Sequence, residues 1–188
     1  LKETGQWTTV ADGCPDTIDD LVTFASAEID AFWKREFDAI GEEYSSPNAV
    51  EAYEGPERTG CGETVPENAF YCPNDQSIYY DQSLFDESLD GIGDFAPVFI
   101  LAHEWGHLIQ DQLGFLTMRN RVGIRNELQA DCFAGLFTKD AEARGLLEPG
   151  DTEEALALAF EAGDPTGSRQ SEVSHGTSKQ RQQAFALG

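Results

Sequence analysis

The sequence predicts a helix-rich α+β fold with one small β-sheet, and three observations carry that expectation. Apolar residues recur at helical spacing in five stretches, and strand-like composition is confined to residues 45–81. Of the 188 residues, 40% are hydrophobic and 11% aromatic, enough for a packed core, which excludes a wholly disordered chain. A chain of this length fits one domain spanning 1–188, with an N-terminal helical segment over 1–44 and a core over 45–188.

The first element is a long amphipathic helix over 17–40. Ile18, Leu21, Val22, Ala25, Ile29, Phe32, Trp33, Phe37 and Ile40 fall on one face, behind a cap at Asp16 and ahead of a stop at Gly41. From Ser45 to Asn74 the chain is broken by Pro47, Gly55, Pro56, Gly60, Gly62, Pro66 and Pro73. Short strands fit Ala49–Tyr53 and Ser77–Asp81, the second because Ile78-Tyr79-Tyr80 has β composition. A second helix starts near Pro97 and runs to about Leu113, with Gly114 as its stop. A third covers about Val122 to Ala143. A fourth opens with Asp151 and Glu154 in a capping-box pattern and ends at Gly163. A flexible stretch, Asp164 to Ser174, leads to a last helix starting near Thr177.

Charge limits the partners. Thirty-five Asp and Glu against twelve Lys and Arg give a formal net charge of −23, which repels phosphate backbones and anionic lipid. Nucleic acid is excluded as a partner on that ground. Two readings fit such a coat, a solvated surface suited to saline surroundings and a preference for cationic partners. The longest apolar run, Phe95 to Ala102, is far short of the ~20 residues of a membrane-spanning helix. No basic-then-apolar leader opens the sequence, so a signal peptide is expected to be already removed or never present.

Cys14, Cys61, Cys72 and Cys132 form an even set without a CxxC pair, which favours disulfides over a thiolate metal site and points outside the cytosol. Cys61 and Cys72 bracket a short loop that their disulfide would close. Cys14 and Cys132 then pair by elimination, or Cys132 is a free, buried thiol.

The segment that carries chemistry is His103-Glu104-Trp105-Gly106-His107, which holds two of the three histidines. On a helix, positions i and i+4 share a face, so both imidazoles reach one metal while Glu104 projects beside them toward a water. A zinc site of this type needs a third protein ligand and an open fourth position. No third histidine follows soon after His107, but Glu127 comes twenty residues on, room for a turn and an antiparallel return. Asp131, one helical turn further, is placed to accept a hydrogen bond from a ligand imidazole. The plain alternative is that both acids belong to a very acidic surface. Apolar Leu128, Ala130, Phe133 and Ala134 around them argue against it.

His103-Glu104-Trp105-Gly106-His107, the run Glu127 to Gly135 and His175-Gly176-Thr177-Ser178 together resemble the bacterial putative neutral zinc metallopeptidase (YpfJ-like) family. Phe70-Tyr71-Cys72-Pro73, followed by Ile78-Tyr79-Tyr80-Asp81, is similar to that family's strand before the metal helix. The resemblance covers roughly residues 60–188. It implies a small zincin-like, mini-gluzincin domain with its sheet beside the HExxH helix, zinc on His103, His107 and Glu127, and Glu104 as catalytic base. Related gluzincins place a histidine or tyrosine at the developing oxyanion, which implies that role for His175, with Arg181 sharing it or pairing with a carboxylate; the plain alternative for His175 is an exposed histidine beside Gly176.

The expected function is therefore a zinc-dependent metalloendopeptidase, holding one zinc per chain and acting outside the cytoplasm of a bacterium on peptide or protein substrates. Two other classes fit the same residues: a non-catalytic zinc-stabilised interaction domain and a zinc hydrolase of a non-peptide amide. An intact Glu104 favours an enzyme over a relic. The strand at Ile78–Asp81, with Tyr79 and Tyr80, is read as aligning an extended substrate by edge pairing, with simple packing as the alternative.

Overall fold

The structure, a computed structural model, describes residues 17–116, 123–165 and 174–188. Helix α1 (Ile18–Ile40) buries Ile18, Leu21, Val22, Ala25, Ile29, Phe32, Trp33 and Phe37 along one stripe. Its cap is Thr17, whose side chain accepts the Asp20 N–H; the expected cap, Asp16, lies outside the described residues. Gly41, in the left-handed region at φ 75°, ends it.

Five short strands follow: β1 (Val50–Tyr53), β2 (Arg58–Thr59), β3 (Gly62–Glu63), β4 (Ala69–Cys72) and β5 (Ser77–Asp81). β5 lies in the middle of a three-stranded sheet, parallel to β1 and antiparallel to β4. β2 and β3 make a separate hairpin whose turn carries Cys61. A disulfide joins Cys61 to Cys72, fixing that hairpin to the end of β4. Cys14 lies outside the described residues, and with it the pairing expected for Cys132.

Five more helices complete the described residues: α2 (Gln82–Gly91), α3 (Phe95–Gln112), α4 (Ile124–Ala143), α5 (Asp151–Glu161) and α6 (Ser178–Leu187). α2 has no counterpart among the sequence expectations. Its apolar face is too thin to signal a helix, with only Phe85 and Ser88 buried, and Asp81 caps it. Pro97 falls in the first turn of α3, where its missing N–H costs no helical bond. The capping box expected at Asp151 and Glu154 is absent. Asp151 is already helical, behind Gly150, and no side chain caps that end. The true capping box is at α6, between Thr177 and Gln180.

α3 sits at the centre, packed against α1, α4, α5 and β4. Phe95, Val98, Phe99, Leu101, Ala102, Trp105, Leu108 and Ile109 are all buried, as expected of a helix covered on every side. No helix among the described residues is long and apolar enough to cross a membrane.

Two glycines set the helix spacing. A Cβ on Gly106 of α3 would lie 2.9 Å from Ala130 Cα of α4, and one on Gly135 of α4 would lie 2.1 Å from the Phe185 carbonyl oxygen of α6. At both crossings backbone meets backbone, which is what lets short side chains bridge the helices.

The disulfide yields a stability prediction. It closes a loop with a sequence separation of 11. Replacing both Cys61 and Cys72 by Ser should lower unfolding stability by about 3 kcal/mol on the loop-entropy model. Denaturant unfolding of the oxidised parent and the double variant measures the difference.

Candidate metal centre

The local fold gathers the predicted residues. His103 and His107 stand one turn apart on α3, their ring centroids 4.8 Å apart. α4 returns beside them and delivers Glu127 from its first turn. Glu127 Oε2 lies 3.4 Å from His103 Nε2, and Oε1 lies 3.6 Å from His107 Nε2. These separations are long for direct hydrogen bonds but suit a shared ion. Two ligands bound at about 2.0–2.1 Å to a tetrahedral centre stand about 3.3–3.4 Å apart. The donor set, two imidazoles and a carboxylate, is also one that zinc accepts.

Each imidazole is held from behind, and the partners fix its tautomer. His103 Nδ1 is 2.9 Å from Asp131 Oδ1, and a carboxylate only accepts, so the Nδ1 proton faces Asp131 and Nε2 faces Glu127. Asp131 is fully buried. It also accepts from Arg181 Nε at 2.9 Å and Nη2 at 2.6 Å. His107 Nδ1 is 2.9 Å from Gln110 Oε1. Gln110 uses its amide nitrogen on the Asn126 carbonyl and on Gln129, so its oxygen must accept and His107 likewise presents Nε2. Sequence reasoning reached Asp131 but missed Gln110. The signal was present, since Gln110 is three residues past His107 on the same helical face.

The electrostatics follow from these contacts. Burial pushes the His103 pKa down, but the Asp131 and Glu127 carboxylates outweigh it and hold it up at about 10. Burial pushes Glu127 up, and the His103 contact with the charges of both imidazoles brings it down to about 2. The Asp131 carboxyl lies below the usual range, because Arg181 and His103 overcome its burial. Glu104 goes the other way. Buried and only partly offset by His107 and His103, its carboxyl is raised. Glu104 Oε2 accepts the backbone N–H of Tyr71 at 2.9 Å, which ties the α3 carboxylate to β4.

A cleft of about 860 Å³ lies over these groups, with apolar walls that include Phe70 of β4, Phe99 and Ile100 of α3, and Leu158 of α5. His175 lines it too, with a side chain 55% exposed. Asp164 pins its turn by accepting the Gly176 N–H at 3.1 Å, and the Asp164 N–H donates to the Gly176 carbonyl at 2.7 Å. Arg181, 4% exposed, pairs with Asp131, the second of the two roles expected for it.

Tyr79 and Tyr80 do not form a substrate edge. Their strand, β5, has partners on both sides. Tyr80 is buried against Phe85, while Tyr79 stacks on Phe70 and donates its hydroxyl to Asp75. β composition identified a strand here but could not say which strand would be outermost. The edge beside α3 belongs to β4.

Comparison with known proteins identifies the family. A family model described as "Putative neutral zinc metallopeptidase" matches residues 2–188. The YpfJ protein of Escherichia coli K12 is 38% identical over 180 residues, covering 83% of this chain and 62% of its own length. The Mb2605 protein of Mycobacterium bovis and the Rv2575 protein of Mycobacterium tuberculosis H37Rv are each 34% identical over 189 residues, covering 85% of this chain and 63% of theirs. The chain thus spans somewhat less than two thirds of the length of these relatives. No solved structure matches it. The chain belongs to the putative neutral zinc metallopeptidase family.

The α3–α4 crossing carries a prediction. Gly106→Ala places a methyl 2.9 Å from Ala130 Cα and 3.1 Å from its carbonyl oxygen, so backbone must move. Stability should fall by about 1–3 kcal/mol. Zinc affinity, measured by competition with a chromophoric chelator, should fall at least tenfold as Glu127 draws back from the imidazoles; unchanged affinity would show that the crossing does not set the ligand distances.

Proposed function

We propose that this family member is a zinc-dependent endopeptidase in which His103, His107 and Glu127 hold one zinc and Glu104 is the general base. The observation that carries the reading is the gathering of the three ligand groups, Glu127 lying 3.4 Å from His103 Nε2 through one oxygen and 3.6 Å from His107 Nε2 through the other, beside a buried carboxylate that is not among them. Zinc, when bound, supplies Lewis acidity that acidifies water and polarises a carbonyl.

The chain's own residues supply the rest. Asp131 and Gln110 hold the Nδ1 protons, so both Nε2 atoms stay directed at the metal. The Tyr71 amide occupies Glu104 Oε2, which leaves Oε1 to accept a proton from the attacking water. The same carboxyl then passes that proton to the departing amine nitrogen. His175 lines the cleft on a turn clamped by Asp164, and its imidazole is assigned to the carbonyl oxygen as charge develops.

An extended peptide fits beside β4 rather than β5, because β4 is an edge strand and the one that lines the cleft, through Ala69, Phe70 and Tyr71. Glu67, Glu87 and Glu161 also line it, each exposed, and favour substrates with basic side chains. The Cys61–Cys72 disulfide supports an extracytoplasmic location in a bacterium.

Cleavage of a denatured protein library, with chelator and with zinc restored, tests the activity directly. Glu104→Gln should retain zinc while kcat falls by ~10²–10⁴. His175→Ala should keep fold and zinc while kcat falls by ~10²–10³. Full turnover by the Glu104 variant would refute the assignment of the base, and an unchanged kcat would remove His175 from the mechanism.

A further inference from the structure

A second group of carboxylates lies where the N-terminal ends of α3 and α5 meet. Asp94, Asp151 and Glu154 each offer an oxygen within 4.8 Å of the others. Asp94 is 4% exposed and Asp151 0%. Among the described residues, neither oxygen of Asp94 has a hydrogen-bond partner, and nor does Oδ1 of Asp151.

The remaining oxygens show how the group is built. Asp151 Oδ2 accepts the Glu148 N–H at 2.8 Å, and Glu154 Oε2 accepts the Phe95 N–H at 3.0 Å. An Asp in front of a helix normally turns back to cap it. Asp94 makes no such bond. Its carboxylate is unpartnered while the neighbouring Phe95 amide goes to a different helix.

Buried carboxylates are stable when paired, hydrogen-bonded or bound to metal. Two helix N-termini contribute roughly one positive charge between them, too little for three carboxylates. Burial raises the Asp151 carboxyl to about 6, and Asp94, Glu154 and Glu148 push it the same way. Gly93 keeps the space clear, because a Cβ there would fall 2.1 Å from the Glu154 carboxyl carbon.

We infer that Asp94, Asp151 and Glu154 form a structural calcium site that fastens the start of α3 to the start of α5. All the donors are carboxylate oxygens, which suit a hard cation. Calcium binds oxygen at about 2.3–2.6 Å, so oxygens on opposite sides of the ion stand about 5 Å apart, matching the observed spread. Magnesium demands a tighter octahedron at about 2.0–2.1 Å and keeps its waters. A divalent ion leaves one negative charge, which the two helix ends offset. Asp94 precedes His103 by nine residues, about 13 Å along a helix, so the ion stabilises the helix that carries the metal centre and takes no part in its chemistry.

The test uses the zinc-loaded chain, freed of other cations and titrated with calcium chloride alone, read by calorimetry and thermal unfolding. One calcium should bind per chain, and Tm should rise by about 5–10 °C at a hundredfold excess over Kd. Magnesium chloride should give a smaller rise. In the double variant Asp94→Asn, Asp151→Asn the calcium response should vanish with zinc content unchanged. Should that variant not fold, Glu154→Gln should weaken calcium at least tenfold. A Tm indifferent to calcium up to about 10 mM, above the ~10⁻⁴–10⁻³ M range of weak extracellular calcium modules, overturns the inference. So does a calcium response of undiminished size in the variants.

Discussion

The structure depends on one buried carboxylate. Asp131 has no solvent exposure, and it lies between His103 of α3 and Arg181 of α6 while belonging to α4. A lone ion in that position would cost several kcal/mol, and Arg181, 4% exposed, would be as costly without it. Neither charge is tolerable unless the helices that carry them meet. Arg181 also donates from Nη1 to the Ala162 carbonyl, just past α5, so one guanidinium reaches a fourth helix. The pair therefore acts less as a source of net stability than as a restriction on which arrangement of four helices is allowed. His103 takes its orientation from that restriction.

Such short side chains bridge the helices only because the backbones are close. Gly106 against Ala130 brings α3 onto α4, Gly135 against Phe185 brings α4 onto α6, and at Gly163 a Cβ would meet the Ser178 nitrogen at 2.2 Å, joining the end of α5 to the start of α6. These contacts link α3, α4, α6 and α5 in series. A methyl at any of them meets backbone, and a backbone shift is felt at the ligand distances. Small residues here are part of the electrostatics, because they set how near the charges come.

Much of the centre was legible in the sequence because its signals are local. The i, i+4 spacing of His103 and His107 belongs to one helix, and Glu127 and Asp131 show the same spacing on another. Gly41 and Thr177 also behave as local rules predict. What escaped depends on distant partners. Strand composition marked Ile78–Asp81 but cannot rank strands in a sheet, so an edge was assigned to β5 when β1 and β4 hold the edges. Asp151 and Glu154 look like a capping box in sequence, yet Glu154 serves the Phe95 amide of α3, 59 residues away. α2 escaped for a third reason, since it buries too little to imprint a pattern.

Glu104 links the sheet to this centre through strand register. Its Oε2 is satisfied by a backbone amide, that of Tyr71, rather than by a side chain. Tyr71 pairs with Ile78 across the ladder, and the Ile78 amide points the other way, to the Ala49 carbonyl of the segment leading into β1. A slip of one residue in β4 would put Phe70 or Cys72 opposite Ile78 and send every side chain of the strand to the other face, taking Tyr71 from its place beside Glu104. Two features oppose that slip. The Tyr71 hydroxyl donates to Asp111 at 2.9 Å, a second attachment of the same residue to α3. Cys72, the next residue, is tied by its disulfide to the β2–β3 hairpin. The hairpin supplies none of the candidate ligands. It nonetheless helps fix the strand position on which the environment of Glu104 depends.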